Sequence, residues 1–184
     1  MTSPGGIVVV SCTINPRSGV DGGGSPEIPE GWWRLRRGKR TPKMLTGEVE
    51  HQLDDRGRVA VPRPFREIME HGGFVTRGWY GCLFLFPWEE WRKIEDRLNQ
   101  VRITDMNGDI VKQFFSGGAK VFLDRQGRIN IPASLREHAG IKGDVVVRGV
   151  INRIEIWGKD RWVSYQEEQF SPEQIMEKAA ALGI

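Results

Sequence analysis

The sequence predicts a β-rich α+β domain, in which two copies of one structural unit are interleaved into a small barrel with pseudo-twofold symmetry. The first observation is a repeat: residues 53–67 and 123–137 share seven identical residues in fifteen, which indicates that one unit is used twice. The second is the alternation of apolar and polar residues around an Asp-x-x-Gly turn, which is typical of half-buried strands. The third is size: halves of about 60 residues would be marginal alone, which favours one shared core.

The turn in each unit has an aspartate and a glycine at fixed positions. The Asp54 and Asp124 side chains are expected to orient the turns by accepting hydrogen bonds from backbone N–H groups just downstream. Gly57 and Gly127 are expected to supply the positive φ that such turns need. Because apolar residues alternate on both sides of the first turn, we expect a β-hairpin there, with Val49 on its buried face.

A short helix is predicted after each turn. Pro62 and Pro132 lack an N–H donor, so each strand is expected to end there. In the second unit, Ser134 and Glu137 form a Ser-x-x-Glu capping box, which predicts a helix that starts at this serine. In the first unit, Pro64 occupies the matching place, which suits a first helical turn.

The repeat continues through a second pair of strands, where the offset becomes 71 residues. Residues 83–86 match residues 154–157, and Trp91 matches Trp162. Each unit is therefore expected to run strand, turn, strand, short helix, strand, turn, strand, helix. The two matched tryptophans stand at helix positions, and we expect them in the core rather than stacked on bases.

Two copies of an Asp-x-x-x-Arg turn, 54–58 and 124–128, resemble the MraZ family of bacterial transcription regulators, within the AbrB-like, swapped-hairpin group. Residues 44–51 also resemble the start of MraZ proteins, and the match covers about residues 44 to 184. The resemblance implies two AbrB-like swapped-hairpin repeats, a ring-shaped homo-oligomer, and a cytoplasmic, nucleoid-associated protein. It also implies that the Asp-x-x-x-Arg region contacts double-stranded DNA at short G-rich direct repeats, upstream of the cell division and cell wall gene cluster.

The chain divides into five predicted segments. Their bounds are 1–43 for a disordered extension or misplaced start, 44–98 for the first AbrB-like repeat, 99–118 for a helical connection, 119–170 for the second repeat, and 171–184 for a C-terminal helix. Residues 1–31 are rich in Gly, Pro and Ser, whereas residues 32–43 are basic and aromatic. Residues 32–43 are interpreted either as a DNA-binding arm or, together with residues 1–31, as an upstream reading frame attached by a misplaced start. We favour the second interpretation because MraZ proteins begin at the position of Met44.

Two helices are predicted outside the repeats. Apolar residues within 110–115 are helically spaced, and Gly117 is expected to close that helix. Its apolar stripe is expected to be core or a contact between subunits. Ser171 is the predicted N-cap of the last helix, with Pro172 at its first position.

Charge is unevenly distributed along the 184 residues. The net charge is +3, but residues 1–43 contribute +4 and residues 44–184 contribute −1. A DNA surface on the second stretch therefore requires local asymmetry rather than bulk basicity. No apolar run is long enough to span a bilayer, so no membrane association is expected. Cys12 and Cys82 have neither metal-ligand spacing nor a disulfide framework.

Arginines concentrate on and just after the two turns. The predicted DNA-binding residues are Arg56, Arg58, Arg63, Arg66, Arg125 and Arg128. Arginine binds guanine bidentately in the major groove and also clamps phosphates. Alternatively, Arg58 and Arg128 close their own turns by pairing with the aspartates, and both roles are compatible. Because three other arginines surround Arg58 in the sequence, the first turn is predicted to face DNA.

Catalysis has little support in the sequence. Its three histidines share no metal-ligand spacing, and no glycine-rich phosphate loop follows a strand. Asp54 and Asp124 would make a carboxylate pair if the fold brought them together, but their turn role explains them better. We therefore expect no enzyme activity, metal, cofactor or small-molecule substrate. The alternatives to a DNA-binding regulator are an AbrB-like antitoxin with a protein toxin as partner, and a structural ring without a specific DNA target.

Overall fold

The computed structural model describes residues 44–102 and 104–184, so the predictions for residues 1–43 lie outside the described residues. Strands are β1 Leu45–Gln52, β2 Arg58–Ala60, β3 Gly73–Arg77, β4 Leu83–Pro87, β5 Ala119–Val121, β6 Arg128–Asn130, β7 Asp144–Ile151 and β8 Arg153–Gly158. Helices are α1 Arg63–Arg66, α2 Trp88–Gln100, α3 Met106–Ser116, α4 Ala133–His138, α5 Lys159–Gln169 and α6 Pro172–Ala181, and Trp79–Gly81 forms a 3-10 turn. The order of strands and helices predicted for each unit is confirmed.

Six strands form one antiparallel sheet in the order β1-β7-β8-β4-β3-β5. This order is symmetric about its centre, because β1, β7 and β8 on one side correspond to β5, β3 and β4 on the other. Strand β1 of the first unit pairs along its whole length with β7 of the second, from Leu45–Ile151 to Gln52–Asp144. Strand β5 of the second unit pairs with β3 of the first. The predicted interleaving and the β-rich α+β class are confirmed.

Strands β2 and β6 form a second, two-stranded sheet, with Val59 opposite Ile129 at its centre. The predicted hairpin within one unit is therefore wrong: after each turn the strand pairs with its counterpart in the other unit. The Val59 and Ile129 side chains are fully buried, and the burial of each stabilises the fold by about 1.5–3 kcal/mol. Among the described residues the sheets form layers, and β1 and β5 remain open edges of the larger sheet, so the predicted barrel does not close.

The larger sheet is buried on both faces. Leu83 and Leu85 of β4 face a core shared with β2, β6, α1 and α4. Phe84 and Phe86, which alternate with them, face an aromatic core shared with α2, α3 and α5. A strand covered on both sides needs apolar residues at every position, which explains the continuous run Leu-Phe-Leu-Phe. The layers thus place β2 and β6 on one face of the sheet and α2 and α5 on the other.

Trp91 and Trp162 lie in the aromatic core, as predicted for the two matched tryptophans. The α3 stripe is divided: Phe114 and Phe115 pack into this core, whereas the Ile110 side chain is 63% exposed. Val49 was expected to face inward but is 41% exposed. The reason is that β1 is an edge strand, so no neighbouring strand lies beyond it to cover that position.

The helix starts agree with the sequence in one case and differ in another. The Ser171 hydroxyl accepts a hydrogen bond from the Gln174 backbone N–H, so the predicted N-cap of α6 is confirmed. The predicted start of α4 at Ser134 is wrong, because Pro132 is the N-cap and the serine is already the second helical residue. Within the described part of the chain, no helix has the length and apolar character needed to cross a membrane.

Candidate nucleic-acid interface

Each Asp-x-x-x-Arg turn is a compact loop organised by its aspartate. Asp54 Oδ1 accepts hydrogen bonds from the backbone N–H groups of Arg56, at 3.0 Å, and Arg58, at 2.9 Å. Asp124 Oδ1 does the same for residues 126 and 128, both at 2.9 Å. The glycine at the fourth position has φ +76 in both turns, in the left-handed region that glycine adopts without strain. The two turns therefore have matching backbone geometry.

The aspartate and arginine that define the motif form an ion pair within each turn. Arg58 Nε donates to Asp54 Oδ2 at 2.8 Å, and Arg128 Nε donates to Asp124 Oδ2 at 2.9 Å. Each arginine also reaches the aspartate of the other turn. Arg128 Nη1 lies 3.2 Å from Asp54 Oδ2, and Arg58 Nη1 lies 3.5 Å from Asp124 Oδ2. The four side chains form one cluster across the pseudo-twofold axis, which places both turns side by side.

Both aspartates in this cluster are held in the ionised state. The backbone N–H of Arg58, followed by its side chain, keeps the pKa of Asp54 below its usual range. The equivalent hydrogen bonds from Arg128 lower the pKa of Asp124 to about 2. A catalytic carboxylate pair that shares a proton instead raises the pKa of one member. Because arginines lie between the two carboxylates, the structure favours the role predicted for Asp54 and Asp124, which is to orient the turns.

Each turn is also supported by an arginine from the other unit. The Arg66 guanidinium lies against Gly127, and the Arg136 guanidinium lies against Gly57. These arginines are fixed by Nε, which donates to the Val61 carbonyl at 2.8 Å and to the equivalent Ile131 carbonyl at 3.2 Å. Both turn positions therefore favour glycine for φ, and position 127 requires it for space as well, because a Cβ there would overlap the Arg66 guanidinium.

Arg136 was absent from the predicted DNA-binding residues, although it aligns with Arg66 in the repeat. This alignment with Arg66 was the signal that could have identified Arg136 as a residue that supports a turn. Arg66 follows the first turn in sequence but lies against the second turn in space. A surface that includes one turn necessarily includes the other.

The remaining predicted arginines lie at the tips of the turns and at the start of α1. Arg56 and Arg125 are exposed, and among the described residues neither has an acidic partner within ion-pair distance. Arg63 is exposed at the start of α1. All six predicted arginines therefore lie on the turns or on the short helix that follows the first one. Residues 44–102 and 104–184 contain no group of three or more His, Cys, Asp or Glu suited to a metal ion.

Comparison with known proteins identifies the family. The family model of the MraZ protein, described as antitoxin-like, matches residues 44–110 and again residues 114–182. The chain belongs to the MraZ family. Each of the two matches contains one Asp-x-x-x-Arg turn, so the MraZ unit corresponds to one copy of the repeat.

Curated relatives support the same assignment over their full length. A protein of Acetivibrio thermocellus is 44% identical over 143 residues, and one of Clostridium beijerinckii is 42% identical over 142 residues. A protein of Syntrophomonas wolfei is 43% identical over 143 residues. Each alignment covers 77% of this chain and 100% of the relative, and each relative is named transcriptional regulator MraZ.

Proposed function

We propose that this chain is a sequence-specific DNA-binding transcriptional regulator and that the paired turns are its DNA-contacting surface. The observation that carries the proposal is the cluster of Asp54, Arg58, Asp124 and Arg128, which fixes two arginine-rich turns next to each other. The names of the relatives, transcriptional regulator MraZ, support the same function.

The cluster divides the arginines into two groups with different tasks. Arg58 and Arg128 bind the aspartates through Nε and Nη1, and Arg128 Nη2 also lies 2.8 Å from Asp124 Oδ2. Their side chains stay 26% and 24% exposed, so the fork hydrogens that do not face the aspartates can reach a base edge or phosphate. Arg56 and Arg125 at the tips are free to contact phosphate oxygens. Phosphate contacts set position and affinity, whereas base contacts set sequence preference. Arg58 and Arg128 therefore fix the turns and contact base edges, whereas Arg56 and Arg125 contact the phosphates of the duplex.

We also propose that the chain acts as a ring-shaped homo-oligomer on short G-rich direct repeats in the cell division and cell wall gene cluster, in the cytoplasm and associated with the nucleoid. Residues 44–184 have a net charge of −1, so one subunit binds DNA weakly. Several linked subunits that bind adjacent repeats gain affinity through high effective concentration. Exposed apolar side chains on α3, including Met106 and Ile110, are available for subunit contacts.

A protein toxin is the competing partner, because the family description includes the term antitoxin-like. The two functions differ in what binds the turns. An antitoxin in this structural group would bind its toxin through a tail that folds on the partner. Here the C-terminal residues 172–181 already form helix α6. We therefore rank DNA first and toxin binding second.

The test is DNA binding by single-arginine variants, measured by fluorescence anisotropy with duplex DNA from upstream of the protein's own gene. Arg125→Ala is expected to weaken binding and to reduce the slope of log K against log salt by about 0.9, the value for one lost phosphate contact. Its thermal stability should stay unchanged, because the tip side chain has no ion-pair partner among the described residues. Arg92→Ala is the matched control, since this exposed arginine lies on α2, across the sheet from the turns.

Arg58→Ala and Asp54→Ala separate orientation from contact. Arg58→Ala removes both a DNA-facing charge and the 2.8 Å ion pair, so it should abolish specific binding and also lower the melting temperature. Asp54→Ala removes the hydrogen bonds that shape the turn but no positive charge, so it should affect stability more and affinity less. DNA affinity of Arg58→Ala and Arg125→Ala equal to that of wild type would refute the proposed surface.

A further inference from the structure

The two turns have the same backbone but different tips. Asp54 and Asp124, Gly57 and Gly127, and the supporting arginines 66 and 136 are equivalent under the pseudo-twofold axis. The two residues between aspartate and glycine are not equivalent: the first turn has Asp55-Arg56 and the second has Arg125-Gln126. All four are exposed. The backbone of the two turns is thus symmetric, whereas their tips, and position 63 where Arg63 corresponds to Ala133, are not.

This mismatch matters because a DNA duplex also has local twofold symmetry. A protein surface with a true twofold axis fits a site equally well in either direction, which is why symmetric proteins bind palindromic sites. The shared backbone of the two turns, with Arg58 and Arg128 related by the axis, would by itself give such a symmetric fit. Any preference for one direction must come from side chains that break the symmetry.

The tips differ in charge in a way that supplies this preference. The first tip carries one acid and one base, so Asp55 repels phosphates on its side of the duplex and can accept a hydrogen bond only from a base donor such as cytosine N4. The second tip carries Arg125 and a neutral amide, Gln126, so it attracts phosphate or guanine. The two ends of one turn pair therefore favour different DNA environments.

We propose that the four tip residues, Asp55, Arg56, Arg125 and Gln126, determine the direction in which each subunit binds the duplex. This inference rests on the proposed DNA-binding function of the same surface. It makes the DNA element bound by one subunit non-palindromic, although the protein framework around it is pseudo-twofold symmetric. In a cyclic assembly all subunits are related by rotation, so a common direction selects tandem sites that all point the same way.

The experiment is selection of binding sites from a library of duplex DNA with a randomised central segment, using the full chain. Wild type is expected to enrich a non-palindromic motif. Its affinity for two copies of that motif in the same direction should exceed its affinity for an inverted pair at the same spacing. The expected difference is about tenfold, within the range of about 5- to 150-fold for one good bidentate base contact.

Two variants make the tips identical without changing the framework. R125D/Q126R gives both turns the first tip and lowers the net charge by one, whereas D55R/R56Q gives both turns the second tip and raises it by one. Each new tip already occurs on the same backbone in the other turn, so folding should be retained, as checked by thermal unfolding. With R63A added to each, which removes an exposed arginine whose counterpart is Ala133, both variants are expected to select palindromic motifs and to bind direct and inverted pairs with affinities within about threefold, because no strong directional base contact remains.

The exchange variant D55R/R56Q/R125D/Q126R is the matched control, since it alters all four positions but keeps two different tips and the same net charge. It should again select a non-palindromic motif. If both symmetrised variants still select the non-palindromic motif of wild type, the directional role of the tips is overturned while DNA binding by the turns stands. If wild type selects no motif, the proposed function itself fails.

Discussion

Gly127→Ala is expected to destabilise the fold more than Gly57→Ala, although the two glycines occupy equivalent positions with the same φ of +76. A β-carbon in this left-handed region costs about 1–2 kcal/mol in either variant. The difference lies in the arginine above each glycine. A methyl group on Gly127 would overlap the Arg66 guanidinium, whereas one on Gly57 would lie 3.2 Å from the Arg136 guanidinium.

The magnitude of the difference follows from the hydrogen bond that Arg66 must give up. Arg66 Nε donates to the Val61 carbonyl at 2.8 Å, and losing a hydrogen bond of this kind costs about 1 kcal/mol net. Arg136 needs to move by only a few tenths of an ångström and keeps its contact. We therefore expect a loss of about 2–3 kcal/mol for Gly127→Ala and about 1–2 kcal/mol for Gly57→Ala.

Urea denaturation followed by far-UV circular dichroism, at one fixed protein concentration, measures both values. Gly127→Ala should also weaken DNA binding more than Gly57→Ala, because it displaces a basic side chain from the turn surface. Equal losses of stability in the two variants would refute the closer approach of Arg66 to Gly127 from which the difference is derived. A Gly127→Ala variant as stable as wild type would refute the assigned turn geometry as well.

Three further outcomes are expected. Ile151 is 66% exposed and has φ +57, in the left-handed region. Ile151→Asn should therefore raise the free energy of unfolding by about 1 kcal/mol, because asparagine tolerates this region. The control is Ile110→Asn, at a similarly exposed position in helix α3, which should give no gain in the same urea titration. The lowered pKa of Asp124 means that its stabilising contribution is complete above the ordinary aspartate pKa of 3.8 and is lost as pH falls towards about 2. The melting temperature of wild type should therefore fall more steeply with acid across that window than that of D54N/D124N, and parallel pH profiles would contradict this. A chain that begins at Met44 should retain fold and specific DNA binding and lose only non-specific affinity, and loss of specific binding in the anisotropy assay would show that residues 1–43 take part.

The repeat was readable from sequence because its defining residues have local physical roles. Aspartate and glycine in the turns are required by hydrogen bonding and by φ, so their positions identify the turns without any knowledge of the rest of the fold. Ser171 identifies an N-cap in the same way. The turns and this N-cap were therefore predicted well, whereas the equally local capping box at Ser134 was not, because Pro132 is the N-cap of α4.

The pairing of strands was not readable in the same way. Alternation around Val59 indicates one buried face, and this condition is met equally by a hairpin within one unit and by exchange between two similar units. The position of Arg66 against Gly127 depends on that exchange. The exposure of Val49 depends on which strand lies at the edge of the sheet. All three are properties of long-range packing, which periodicity along the chain does not specify.

The central claim is that both turns form one DNA-contacting surface. Hydrogen exchange of the free protein and of its complex with duplex DNA, read by mass spectrometry on peptides that cover residues 54–58 and 124–128, tests it most directly. The account predicts that both peptides become protected together on DNA addition, while peptides from α2, on the opposite face of the sheet, do not change. Protection of one turn without the other, or of neither, would contradict it.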